Sequence, residues 1–114
     1  MKPRTLKLLD DIRQAAEFIR DSAQGKSLDD YCEDRMLRHA VERCFEIIGE
    51  AINRLSREDP ATAGRITDYR AIIAFRNVLI HGYDLVDHDL VWNAIVQEIP
   101  ALLADVAALT IADE

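Results

Sequence analysis

The chain has 114 residues, 49% of them apolar and 31% charged, with only four glycines and a formal charge of −7. That length suits one domain, residues 1–114, with a genuine core, and the composition excludes a disordered chain. The acidic balance argues against a broad basic surface for nucleic acid, although Arg65, Arg70 and Arg76 cluster within twelve residues and a local potential can differ from net charge.

The longest uninterrupted apolar runs, such as residues 106–109, are four or five residues, so no membrane span is expected. The opening MKPRTLKLLDD lacks the apolar segment and cleavage site of a signal peptide, which points to the cytoplasm.

The first predicted helix covers residues 5–23, with Leu9, Ile12, Ala16 and Ile19 at helical spacing and Asp10, Arg13, Glu17 and Arg20 opposite. Gly25 is its stop, and Ser27 or Asp29 caps the next. The second helix is expected to run unbroken over residues 28–57. Leu37, Val41, Cys44, Ile48, Ala51 and Leu55 form its seam, widened by Met36, Ala40, Ile47 and Ile52. A rod of about 45 Å with so wide a stripe needs a second contact surface, and a dimer supplies one. Cys32 and Cys44 fall twelve residues apart on this rod, roughly 18 Å, which excludes a disulfide between them and predicts reduced, buried thiols.

Pro60 and Gly64 interrupt the pattern with a loop or one short turn. A third helix is expected from the N-cap Asp68 to Ile80 or His81, with Gly82 as its stop. A fourth starts near Asp87 and faces Leu90, Val91, Ala94, Ile95, Leu102, Val106 and Leu109 inward, kinked or divided by Pro100. Antiparallel helices with short connections make an all-α bundle.

The third helix ends in FRNVLIHGYD, residues 75–84. On a helical wheel Arg76 falls among Ile72, Phe75 and Leu79, whereas Asn77 and His81 fall about 100° and 140° away from it. A guanidinium in apolar surroundings needs a carboxylate, a phosphate or a wet cleft. Glu50, from the ladder Glu42, Glu46, Glu50, is the carboxylate favoured as its partner. Arginine can hold a phosphate bidentately, histidine can carry a proton at neutral pH, and asparagine can fix an oxygen or a tautomer. By spacing alone, a structural arginine and a helix-end histidine would look the same. For both groups to serve one ligand, the helix must unwind before Gly82 or two copies of the motif must meet.

The glutamate ladder lacks the Glu-x-x-His pairing of bundle metal sites and reads as a salt-bridged face. His88 reads as a surface or turn residue, Trp92 as core packing, and no nucleophile triad or phosphate loop is recognisable.

The R-N-V-L-I-H-G-Y run resembles the R-x4-H-x-Y signature of the HepT-like branch of the HEPN superfamily. RCFEIIGEAINRLS resembles that family's second helix, and VDHDLVWNAIVQEIPALL its final segment, so the likeness covers residues 6–109. The resemblance implies a four- to five-helix HEPN bundle that dimerises and joins two motifs in a shared cleft. It implies a metal-independent, cofactor-free endoribonuclease toxin that cuts RNA by 2′-hydroxyl attack. Arg76 would contact phosphate, His81 would be the acid/base and Asn77 would position. The implied partner is a minimal nucleotidyltransferase antitoxin that modifies Tyr83 with AMP, adding charge and bulk beside the cleft. A non-catalytic subunit that presents a nucleotide or substrate to a nucleotidyltransferase is the alternative, and it has no need of His81 as a proton carrier.

Overall fold

The computed structural model describes residues 1–113, and helix is the only regular structure among them. In chain order the elements are α1 (Pro3–Ala23), α2 (Leu28–Glu33), α3 (Arg35–Glu58), α4 (Pro60–Ala63) and α5 (Tyr69–His81). A 3-10 turn (Tyr83–Leu85), α6 (His88–Asn93), a π turn (Ala94–Glu98) and α7 (Ile99–Asp113) follow. The bundle is elongated, 41 × 29 × 19 Å, because the 24 residues of α3 alone make a rod of about 36 Å.

The core forms where α1 meets α3 and α7. Leu9, Ile12, Ala16 and Ile19 of α1 are buried, with Val41, Ile48, Ile52 and Leu55 of α3 and Ile99, Leu102, Val106 and Leu109 of α7. Helix α5 packs on α3, at the edge of this core, and Leu79 is its one buried residue.

The single long second helix predicted from the seam is instead two. Asp34 is extended (φ −108°, ψ 93°), its carboxylate accepts from the Leu37 N–H at 3.0 Å, and its own N–H donates to the Tyr31 carbonyl. A side chain that caps the new helix while its backbone closes the old one makes the break self-satisfying. The break turns Tyr31 into the core, where it packs 5.6 Å from Trp92 and edge-on to His88 at 6.2 Å. Burial pushes the Tyr31 phenol pKa up. Cys32 and Cys44 therefore lie on different helices, both free but half-buried rather than buried, and burial raises the Cys44 thiol pKa. Met36 does not widen the seam; it is 85% exposed, two residues past the break at Asp34.

Helix ends follow local chemistry elsewhere. Gly25 closes α1 at φ +76°, and Ser27 with Asp30 forms a capping box on α2. Asp68 stands at the α5 N-cap, but in a left-handed conformation and without a side-chain cap bond.

Pro100 acts through the turn before it. The Ile99 N–H reaches back five residues to the Ala94 carbonyl, and this π turn divides the last helix without ending it. Leu90, expected inward, is exposed, whereas Val91, Ala94 and Ile95 are buried. The whole run His88–Asp113 has a mean hydropathy of 1.6 over its most apolar 18-residue window, long and apolar enough by those measures to cross a membrane. Its short apolar runs gave no hint of this. In the bundle it packs against α1, and 33% of that window is buried.

Candidate functional site

Helices α3 and α5 come into tight contact at Gly49 and Arg76. A Cβ built on Gly49 would lie 2.2 Å from Arg76 Cβ and 2.7 Å from Cγ, so the stem of the arginine crosses bare α3 backbone. Glycine inside a helix costs roughly 0.5–1 kcal/mol relative to alanine, and here the missing side chain is what admits α5. Phe45 and Phe75 brace the crossing edge-to-face at 5.1 Å, four residues before Gly49 and one before Arg76.

From this crossing the Arg76 guanidinium reaches two partners. Nη2 donates to Glu50 Oε2 at 2.9 Å, and Nη1 donates to Asn77 Oδ1 at 3.0 Å. Nε is buried without a partner. The side chain is 25% exposed and Glu50 36%, so the pair sits at the wall of a cleft rather than in the core. Glu50 uses its second oxygen as well: Oε1 accepts from Arg54 Nε at 2.9 Å. A cavity of about 230 Å³ opens beside them, with Asp11, Arg43 and Glu46 also on its walls and Ile47 and Ile80 among its apolar lining. Three arginines face three carboxylates, so the cleft is locally neutral on a chain of net charge −7.

His81 is the last residue of α5 and is exposed. The helix does not unwind before Gly82; the Gly82 N–H still donates to the Val78 carbonyl at 2.8 Å. Of the two routes by which Arg76 and His81 could meet, unwinding within one chain is therefore closed. Tyr83 follows in the 3-10 turn, 82% exposed, with Leu85 equally open beyond it. The residues singled out in the sequence thus divide. Arg76, Asn77 and Glu50 come together, while His81 and Tyr83 stand at the free end of the same helix.

The outer face of α5 is open. Ala71, Ala74, Val78 and His81 are all exposed and fall within about 80° on the helical wheel, on the side away from Arg76. Phe45, Ile72, Phe75 and Leu90 line a separate groove of about 250 Å³ between α5 and the last helices.

Gly49 was missed as a contributor. The signal for Gly49 was a lone glycine in phase with an apolar seam, which marks a close approach. The salt-bridged face expected of the glutamate ladder is present, with Arg54 paired to Glu50 at i, i+4 spacing.

Comparison with known proteins agrees with the motif. The family model described as Ribonuclease HepT-like matches residues 12–109. The chain is 35% identical over 94 residues to a protein of Caldanaerobacter subterraneus subsp. tengcongensis named as a candidate RNase, covering 82% of this chain and 83% of the other. It is 32% identical to a Thermococcus cleftensis protein named "Probable ribonuclease HepT", covering 82% and 84%. A Methanocaldococcus jannaschii protein named as both a gamma-glutamylcyclotransferase and a candidate RNase is 33% identical, covering 86% of this chain and 44% of the other. No solved structure matches the chain.

Proposed function

The chain belongs to the ribonuclease HepT-like family, and from that membership we propose that it is an endoribonuclease toxin in which Arg76 and His81 cleave RNA without a metal. The observation that carries this reading is the Arg76 guanidinium on the cleft wall, held by Asn77, with His81 exposed at the end of the same unbroken helix.

In this reading Arg76 binds the scissile phosphate and offsets the negative charge that grows on its oxygens during attack. His81 takes the proton from the ribose 2′-hydroxyl, and the 2′-oxygen then bonds to phosphorus. The 5′-oxygen leaves with a proton from an imidazolium, giving a 2′,3′-cyclic phosphate. Asn77 holds the guanidinium plane through its Oδ1. Since one continuous helix directs Arg76 and His81 about 140° apart, the site is composite. A second protomer packs on α5 over Ala74, Val78 and the exposed Asn77 and His81, the edge between that open face and Arg76, and contributes its His81 to the Arg76 cleft. The small side chains there suit close helix packing, which supports a homodimer.

Tyr83, exposed beside His81, is the site of regulation. A minimal nucleotidyltransferase antitoxin transfers AMP from ATP to its hydroxyl with release of pyrophosphate, and the bulk and charge exclude RNA. The alternative, a non-catalytic partner subunit, draws support from one contact: Arg76 already holds a carboxylate in this protomer.

The test is RNA cleavage, in the presence of a chelator, by wild-type protein shown unmodified by mass spectrometry. Wild type is expected to cut, and Arg76→Ala and His81→Ala to fail. Binding by wild type and His81→Ala that Arg76→Ala loses, with no cleavage in any of the three, selects the non-catalytic subunit.

A further inference from the structure

Glu50 stands between two guanidinium groups, one on each oxygen, and this sharing has a direction. A phosphate on the Arg76 guanidinium would sit beside the Glu50 carboxylate already bound to Nη2, and the two anions repel. Nη2 is on Glu50, Nη1 is on Asn77, and Nε is buried. Phosphate binding therefore competes with Glu50. A half-buried carboxylate that loses its only cation is costly, so the ease of exchange depends on what else holds it. Arg54 already does, one helical turn away on α3, with its side chain 53% exposed.

Resting on the ribonuclease reading above, we propose that Arg54 is a positioning residue for Arg76, retaining the Glu50 carboxylate so that Arg76 can turn to the RNA phosphate. Arg54 acts through Glu50 and does not itself touch RNA. Without it, Glu50 has Arg76 alone and grips it more tightly, so RNA must displace a stronger ion pair. Without the Glu50 charge there is nothing to retain, and Arg54 becomes irrelevant to binding.

This predicts a sign reversal and an epistasis that a merely structural role would not produce. The measurement is fluorescence anisotropy of the full chain with a short single-stranded RNA methylated at every 2′-oxygen, which cannot be cut. At ~0.15 M salt, charges more than about 8 Å apart are largely screened; Arg54 shares the cavity with Arg76, so the epistasis with Glu50, rather than the single variant, separates its positioning role from its charge. Arg54→Gln is expected to weaken binding about three- to fivefold, the scale of one exposed ion pair. Glu50→Gln, which keeps the side-chain shape, is expected to tighten it. Arg54→Gln added to Glu50→Gln is expected to change nothing further.

An equal loss in both backgrounds would mean that Arg54 contacts RNA directly, and it overturns the proposal. So does a Glu50→Gln variant that binds more weakly than wild type, or an Arg54→Gln variant that binds equally well. Arg76→Ala separates the two levels: if it binds the analogue as wild type does, Arg76 is not the phosphate contact and the ribonuclease assignment falls along with this one.

Discussion

Arg76 lies across Gly49 so closely that a single added methyl would overlap its stem, 2.2 Å from Cβ. The two residues belong to different helices, and their contact fixes both the spacing of α3 and α5 and the direction of the guanidinium. Gly49→Ala should therefore harm stability and activity together. Overpacking costs about 1–3 kcal/mol, and better helix propensity offsets about 1 kcal/mol of it. Urea denaturation gives the first quantity. RNA cleavage should fall further than the folded fraction explains; an unchanged rate per folded molecule would show that Arg76 does not need this seat.

A composite site makes a sharper prediction for mixed protomers. Arg76→Ala and His81→Ala are each expected to be inactive as pure proteins. A refolded equimolar mixture should recover about a quarter of wild-type cleavage, because half the dimers are mixed and each has one intact site of two. No recovery on mixing would place both groups in one chain.

Val78 is half-exposed on the open face of α5. Val78→Glu should leave the protomer within about 0.5 kcal/mol of wild-type stability, as surface changes do. It should nevertheless convert the dimer to a monomer in light scattering and abolish cleavage. A Val78→Glu protein that remains a fully active dimer would show that another face pairs the chains.

Tyr83 is 82% exposed and makes no core contact that its hydroxyl could support. Tyr83→Phe should cleave RNA at the wild-type rate yet gain no AMP mass increment after coexpression with a nucleotidyltransferase. It should also escape silencing by that partner. An increment that persists in Tyr83→Phe assigns the modification to another residue.

Asp59 caps α4, where it accepts from the Thr62 hydroxyl and N–H and from the Thr5 hydroxyl of α1. The Thr62 bonds hold its carboxyl below the usual range. A carboxyl with a depressed folded pKa adds stability above its unfolded value of about 3.9, and that stability is lost as pH falls through the folded pKa. The urea midpoint should thus drop below about pH 4, and Thr62→Val should flatten that dependence. Equal acid sensitivity in the two proteins would remove Asp59 from the account.

The sequence carried the bundle, its outer helices and the caps at Ser27 and Gly25, because these rest on periodicity and short-range hydrogen bonds. It also put Arg76 within reach of Glu50, since a guanidinium among apolar residues calls for an anion. The break at Asp34 was hidden because the apolar seam stays in phase across it, and an aspartate is equally at home on a solvated helix face. Gly49 was hidden for another reason: what it admits comes from residue 76, far along the chain. Leu90 was assigned to the wrong side because the π turn that follows it shifts the phase between α6 and α7.

That turn has a further consequence. One helical run serves two neighbours here, α6 packing on α2 with Trp92 against Tyr31 and α7 packing on α1. The turn is the gearing between them, and its extra residue amounts to a rotation of about 100°. Deleting one residue from Ala94–Glu98 would give a more regular helix. It would also be a helix that can mate with only one of its two partners. Regularity is the fault this stretch is built to avoid, and homologues should vary in the side chains of this turn more readily than in its length.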